Sequence, residues 1–224
     1  MAYGLAKVTG VLAGLGLAGV AAWSIATGWH PSVDRYPLQG IDLGADPPAV
    51  EWRTVRARGA DFAYVTASRG ATRDAAFETN WNGAHVIGMR HGALHAFSLC
   101  EPTADQVTTY LTTVPREADA LPATLSLDFS PDCSARPTRA QVMTAIRGFL
   151  GPAEYHDGRP MMLRISPAFE DEYQVSAAIV RPLWAQRRFI EPDYLARPWR
   201  MWQANPARRI DGVARPVAWS VAAQ

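Results

Sequence analysis

The residues that could carry chemistry gather around one stretch, Leu121–Cys133, LPATLSLDFSPDC. Ala123 to Phe129 reads as a buried strand running into a turn at Ser130-Pro131-Asp132, with one carboxylate, Asp128, where the chain leaves the core. An acid at the C-terminal end of a strand in an alternating β/α chain is where barrel enzymes place reactive groups. Side chains alternate along a strand, so Ser126 shares the face of Asp128. Two acids there would point to glycoside hydrolysis, which needs a proton donor and a second carboxylate. Here one acid stands with a serine. A second acid, Asp42, ends another short strand, Gly40–Leu43. His95 lies within an apolar strand, where it is either a satisfied core histidine or a site residue.

The elements that must position these groups alternate. Strands are predicted at 40–43, 61–67, 92–97, 123–129, 160–165, 182–186, 199–204 and 217–221. Helices are predicted at 48–58, 74–87, 103–113, 138–150 and 167–173. Thr103 with Gln106, and Thr138, stand at helix-start positions. Strands alternating with amphipathic helices imply a parallel α/β sheet. The last strands lack helices between them, which implies a TIM-like β/α barrel, incomplete in helices.

The chain has 224 residues, 48% hydrophobic and 19% charged, the composition of a globular domain. A net charge of +1 argues against nucleic acid as a partner. From Lys7 no charged residue follows until Asp34, and Val8 to Trp29 is an apolar run. About 20 such residues span a bilayer as a helix. Residues 1–30 therefore read as a transmembrane signal anchor, with Trp23 and Trp29 as interface anchors. A cleaved signal with Ser24-Ile25-Ala26 at the cut is the alternative. Gly10 and Gly14 match a helix-packing spacing that chance also produces in so Gly-rich a segment. Residues 31–39 read as a linker and 40–224 as the barrel. The expected location is the inner membrane by a single pass, with the domain in the periplasm, or outside if the segment is cleaved. Cys100 and Cys133 follow neighbouring strands, and in an oxidising compartment they would form a disulfide. Two cysteines with no further Cys or His at ligand spacing make no zinc site. No metal or cofactor is expected.

From Tyr36 to Val221 the chain resembles glycoside hydrolase family 25, the Chalaropsis-type lysozymes. The resemblance rests on ordered pieces: YPLQGIDL at 36–43, DFAYVTASRG at 61–70, FETNWNGAHVIGMRHGALHAFSLC at 77–100, VPREADALPA at 114–123, RPLW at 181–184, and WQAN with RRIDGVARPVAW over 202–219. It implies a β/α barrel with fewer helices than the eight-fold form, and cleavage of the bond between N-acetylmuramic acid and N-acetylglucosamine. The peptidoglycan glycan strand is then the implied partner. The positions that keep the family pattern are Asp42 and Asp128, which the resemblance implies as the catalytic candidates, and Tyr64, His95, Trp202 and Gln203, which it implies as substrate-binding candidates.

The departures fall on the polar positions. The family's Asp-x-Glu on the fourth strand, whose glutamate is the general acid, reads Ser126-Leu127-Asp128. An acid near the C-terminus falls on Ala218. The Lys-Ala-Thr-Glu-Gly pattern reads Thr66-Ala67-Ser68-Arg69-Gly70. Tyrosines fall on Leu94 and Arg164. Asp128 occupies the proton donor's place one methylene short, which sets its carboxyl back by about 1.5 Å. Asp42 is the one family-position acid left for the second role. Arg69 and Arg164, if both reach the cleft, would favour an anionic ligand such as a muramyl or peptide-stem carboxylate. An arginine paired with Asp128 would hold that acid ionised. Three readings follow: a membrane-anchored domain that binds cell-wall glycan with muramidase activity lost or weak, a working muramidase using Asp128 and Asp42, and an envelope scaffold for a protein partner not specified by the sequence.

Overall fold

The computed structural model describes residues 19–44, 47 and 49–223. Most of the expected anchor, with Gly10 and Gly14, lies outside them. Residues 19–28 form a helix, α1. Among the described residues no helix is long and apolar enough to cross a membrane.

The order is then β1 (Gln39–Leu43), α2 (Trp52–Ala57), β2 (Phe62–Arg69), β3 (Thr72–Arg73), α3 (Phe77–Val86), β4 (Arg90–Ala96), α4 (Thr103–Thr113), β5 (Thr124–Leu127) and α5 (Arg139–Asp157). It continues through β6 (Met162–Ile165), α6 (Pro167–Tyr173), α7 (Val175–Ala178), β7 (Leu183–Gln186), β8 (Met201–Arg208) and β9 (Val217–Ala222). The sheet runs β1-β9-β8-β7-β6-β5-β4-β2-β3, and β1 also pairs with β2. That extra pairing closes eight strands into a barrel, with β3 appended to β2. β9 is antiparallel to both β1 and β8, while the other barrel pairings are parallel. No helix separates β7 from β8 or β8 from β9. The barrel is thus incomplete in helices, as the sequence implies.

Alternation along each strand sorts the side chains into two sets. Ile41, Leu43, Val65, Leu125, Leu127, Leu163 and Ile165 face outward and join Val55, Trp81, Tyr110, Ile146 and Phe149 of the helices in one core. The interior is filled by a separate cluster of Phe62, Tyr64, Leu94, Met162, Trp184 and Met201. Two interior glycines make that filling possible. A Cβ at Gly40 would lie 2.5 Å from the Phe62 ring, and one at Gly92 would lie 2.6 Å from the Tyr64 ring. Two residues further along β6 and β8, the interior turns polar at Arg164 and Gln203. The fold thus sets its functional layer on a plug of aromatic and thioether side chains.

Two helix starts differ in mechanism. Thr138 accepts from the Gln141 backbone N–H, and the Gln141 side chain returns to the Thr138 N–H, a full capping box for α5. The same arrangement expected at Thr103 and Gln106 does not form. Gln106 is wholly buried and ties instead to Ser98 and Glu101, fastening α4 to the end of β4. The helix predicted to stop at Leu150 runs through Pro152 to Asp157. Val142, Ile146, Phe149 and Ala153 continue its buried stripe past the proline, and Gly158 ends it in the left-handed conformation.

Residues 31–39, read as a linker, pack on the barrel, and Gln39 is already the first residue of β1. Tyr36 is buried against Trp199 and Trp202, and Gln39 Nε2 donates to the carbonyls of Pro31 and Tyr36. Asn205 Nδ2 donates to the carbonyls of Ala26 and Trp29, so the end of α1 is held against β8. Trp29 packs on Phe189 and Trp202, whereas Trp23 is exposed.

Cys100 and Cys133 form the expected disulfide, with Cα atoms 5.8 Å apart, joining the loops that follow β4 and β5. The closed loop spans a sequence separation of 33, for which the chain-entropy model gives a stabilisation of about 3–4 kcal/mol. Cys133→Ser, or reduction of the bond, is expected to lower stability by roughly that amount, read as the change in unfolding free energy from urea titrations with m fitted separately for each form.

Candidate active site at the barrel mouth

The mouth lies at the C-terminal ends of the parallel strands. Its centre is a carboxylate that the sequence places correctly but does not show to be occupied. Asp42 is almost wholly buried. Its Oδ1 accepts from Arg164 Nη1 at 2.9 Å, and its Oδ2 accepts from Gln203 Nε2 at 2.6 Å. Arg164 also donates through Nε to Ser126 Oγ at 3.0 Å. Its guanidinium carbon lies 5.2 Å from the centre of the Trp184 ring.

Strand register explains why these groups meet. Ser126 is opposite Arg164 on β5 and β6, Arg164 is opposite Trp184 on β6 and β7, and Asp42 is opposite Ala218 on β1 and β9. A long side chain on β6 crosses the mouth to β1 because Ser126 and Ala218 are short. A buried carboxylate is costly unless paired. Here an ion pair and an amide engage both oxygens, one bond to each, which gives Asp42 a structural role.

Asp128 is differently placed. It is exposed beyond the end of β5, and its Oδ1 accepts from the Phe129 backbone N–H at 2.8 Å. Among the described residues it forms no ion pair; the arginine that could have held it ionised engages Asp42 instead. Asp128, Ser126, Arg69 and Arg164 line an open cleft of about 840 Å³, walled on one side by Cys100 and Cys133. A second hollow of about 450 Å³ is lined by Asp42, Gln203, Ala218 and Arg215. Arg164 lines both hollows.

Three of the family-position residues do not line these hollows. Tyr64 sits beneath the site in the interior plug, its ring 4.8 Å from Trp184 and its hydroxyl donating to the Pro122 carbonyl at 3.0 Å. Burial pushes that hydroxyl's pKa up, so it remains a donor. Trp202 adjoins Gln203 and therefore faces the other way. It packs outside the barrel with Tyr36 and Trp199, and its indole N–H donates to the Arg187 carbonyl. His95 likewise points outward between Leu94 and Ala96. Its ring stacks on Phe149, Nδ1 meets Ser68 Oγ at 2.8 Å, and Nε2 meets Gln106 Oε1 at 3.3 Å. Burial lowers its pKa to about 4. Of the two readings of His95, this is the satisfied core histidine. Trp184, the aromatic floor under Arg164, is a residue the sequence reading missed as part of the site. Its place opposite Arg164 in the register was the available signal.

A closed β/α barrel with an antiparallel last strand and an open groove at the C-terminal ends of its parallel strands places the chain in the β/α-barrel class. The chain belongs to glycosyl hydrolase family 25, whose family model matches residues 41–213. It is 27% identical over 196 residues to YegX, an uncharacterized protein of Escherichia coli (strain K12), covering 83% of this chain and 70% of that protein. It is 23% identical over 201 residues to Lysozyme M1 of Streptomyces globisporus, covering 82% and 67%. The structure of a family 25 glycosyl hydrolase from Bacillus anthracis matches with a TM-score of 0.79 at 24% identity, over 86% of this chain and 92% of that one. At that identity the structural likeness speaks for the fold.

Two measurements follow from the site. Removing one partner of a buried ion pair leaves the other uncompensated, a loss of about 3–5 kcal/mol. Arg164→Met should destabilise by that order, and Asp42→Asn in the Arg164→Met background should recover part of it, in a double-mutant cycle by urea unfolding. For His95, the folded pKa lies below the unfolded value of about 6.5, so the unfolded chain binds the extra proton. Stability is then fully present above about pH 6.5 and falls as pH drops toward about 4. His95→Gln should flatten the stability profile across that window.

Proposed function

We propose that this is a lysozyme-like domain that binds peptidoglycan glycan at the barrel mouth with its muramidase chemistry lost or weak. The observation that carries this reading is the engagement of both Asp42 oxygens by Arg164 and Gln203. Glycosidic cleavage needs a proton donor on one side of the bond and a second carboxylate, directly or through water, on the other. Ser126 and Ala218 supply no charge, and Asp42 has both oxygens engaged. Asp128 holds the donor's place with a shorter side chain, and misplacement of a reacting group by about 1 Å can cost on the order of 100-fold.

What the mouth retains suits binding. Arg69 and Arg164 both line the main cleft, which supports recognition of a glycan carrying carboxylates, on the muramyl lactyl group or the stem peptide. The apolar run from Val8 to Trp29 supports tethering to the membrane. The Cys100–Cys133 bond supports an oxidising compartment such as the periplasm. A second reading, residual hydrolysis through Asp128, is favoured by one fact: that acid is exposed in an open cleft and free of any ion pair among the described residues.

The full-length protein should co-sediment with purified sacculi and release no reducing ends on prolonged incubation. Arg69→Ala should weaken co-sedimentation several-fold. Failure to bind sacculi would overturn the proposal. Release of reducing ends that Asp128→Asn abolishes would establish the second reading in its place.

A further inference from the structure

At the opposite end of the barrel, three side chains from three elements converge. His85 lies in the last turn of α3, His91 is the second residue of β4, and Glu117 lies in the loop between α4 and β5. One potential ligand atom from each falls within 4.8 Å of the other two. Glu117 Oε2 is 3.7 Å from His91 Nε2 and 3.8 Å from His85 Nδ1. The cluster is not visible along the chain, because His85 and His91 are separated by a turn and Glu117 is remote from both.

The chemistry of the surroundings is specific. His91 is 5% exposed, and its Nδ1 lies 2.8 Å from the Met89 carbonyl. A carbonyl can only accept, so Nδ1 carries a proton and Nε2 is the nitrogen turned toward Glu117. Both His91 Nε2 and Glu117 Oε2 are buried without a hydrogen-bond partner. Two buried atoms able to act as ligands thus face each other with no hydrogen-bond partner, and a cation between them would satisfy both. The other oxygen of Glu117 accepts from Trp81 Nε1 at 2.9 Å. Arg159 holds the loop from below by donating to the carbonyls of Glu117, Ala118 and Ala120. The Trp81 ring meets His91 edge-on at 4.4 Å and fixes the imidazole plane. A histidine donating its second N–H to a carbonyl, and a carboxylate whose second oxygen is hydrogen-bonded, are the outer-shell contacts that metal ligands show.

We propose that His85, His91 and Glu117 bind one divalent transition-metal ion of the zinc type, which clasps the end of α3 and the α4–β5 loop to the start of β4. Bond lengths of about 2.0–2.2 Å in a tetrahedron set ligand atoms about 3.4 Å apart. The two His–Glu pairs need to close by a few tenths of an ångström. The larger adjustment falls to His85, whose half-exposed side chain at a helix end is free to rotate. Two imidazoles and one carboxylate suit zinc over magnesium or calcium, and leave a fourth position for water. The site lies at the N-terminal ends of the strands and is independent of glycan binding at the mouth.

The test uses untagged full-length protein, stripped with chelator and titrated with Zn²⁺ alone, then with Co²⁺ alone as an optical probe. One Zn²⁺ should bind per chain, raise the melting temperature and give intense visible d–d bands with Co²⁺. His85→Ala, at a half-exposed position that the fold tolerates, should weaken affinity at least tenfold, and Glu117→Gln more. Trp81→Phe, which keeps the ring and removes the hydrogen bond to Glu117, should weaken it by about 10-fold or more. His30→Gln, whose ring meets Pro31 and Trp219 and none of the three ligands, should leave it unchanged. No stoichiometric binding by the parent protein, or equal binding by His85→Ala and Glu117→Gln, would overturn the proposal.

Discussion

A carboxylate sealed inside a barrel has to be matched, and the match for Asp42 organises the mouth. The guanidinium that reaches it rests over Trp184 and is steadied by Ser126. Trp184 in turn packs on Tyr64, whose ring occupies the space left by Gly92. Polar layer, aromatic floor and glycine gap form one stack, each level fixing the next. A well-packed interior deforms little, so this ion pair is held from beneath as well as from its sides.

The departures from the family pattern then read as one linked set. Acids at positions 126 and 218 beside Asp42 would place several like charges around one opening, a condition useful for shifting protonation. Replacing them by serine and alanine removes the repulsion and frees volume. Arg164 fills that volume and neutralises the remaining charge. The outcome is an Asp42 whose charge is paired and each of whose oxygens accepts a hydrogen bond.

The architecture was legible in the sequence because strand and helix periods differ and the final strands lack intervening helices. Asp42, Ser126 and Asp128 were legible as mouth residues because strand ends and alternation place them there. Facing was harder. Trp202 and Gln203 are neighbours, and only register against β7 and β9 tells which points inward. His95 keeps a family position yet serves the helix side, through Ser68, Gln106 and Phe149. The partner of Arg164 was hidden because β1 and β6 are distant in sequence and meet only across the closed barrel. The same holds for Glu117 and the two histidines.

The docking of residues 26–36 changes what joins the barrel to the chain before it. A flexible connection would let the domain sample many orientations, with reach set by its length. Here Asn205 grips the end of α1, Trp29 lies against Phe189 and Trp202, and Tyr36 is buried under Trp199. The connection therefore behaves as a lever rather than a leash. The stretch that enters the barrel is thereby docked on β8, the same strand that carries Gln203 into the mouth.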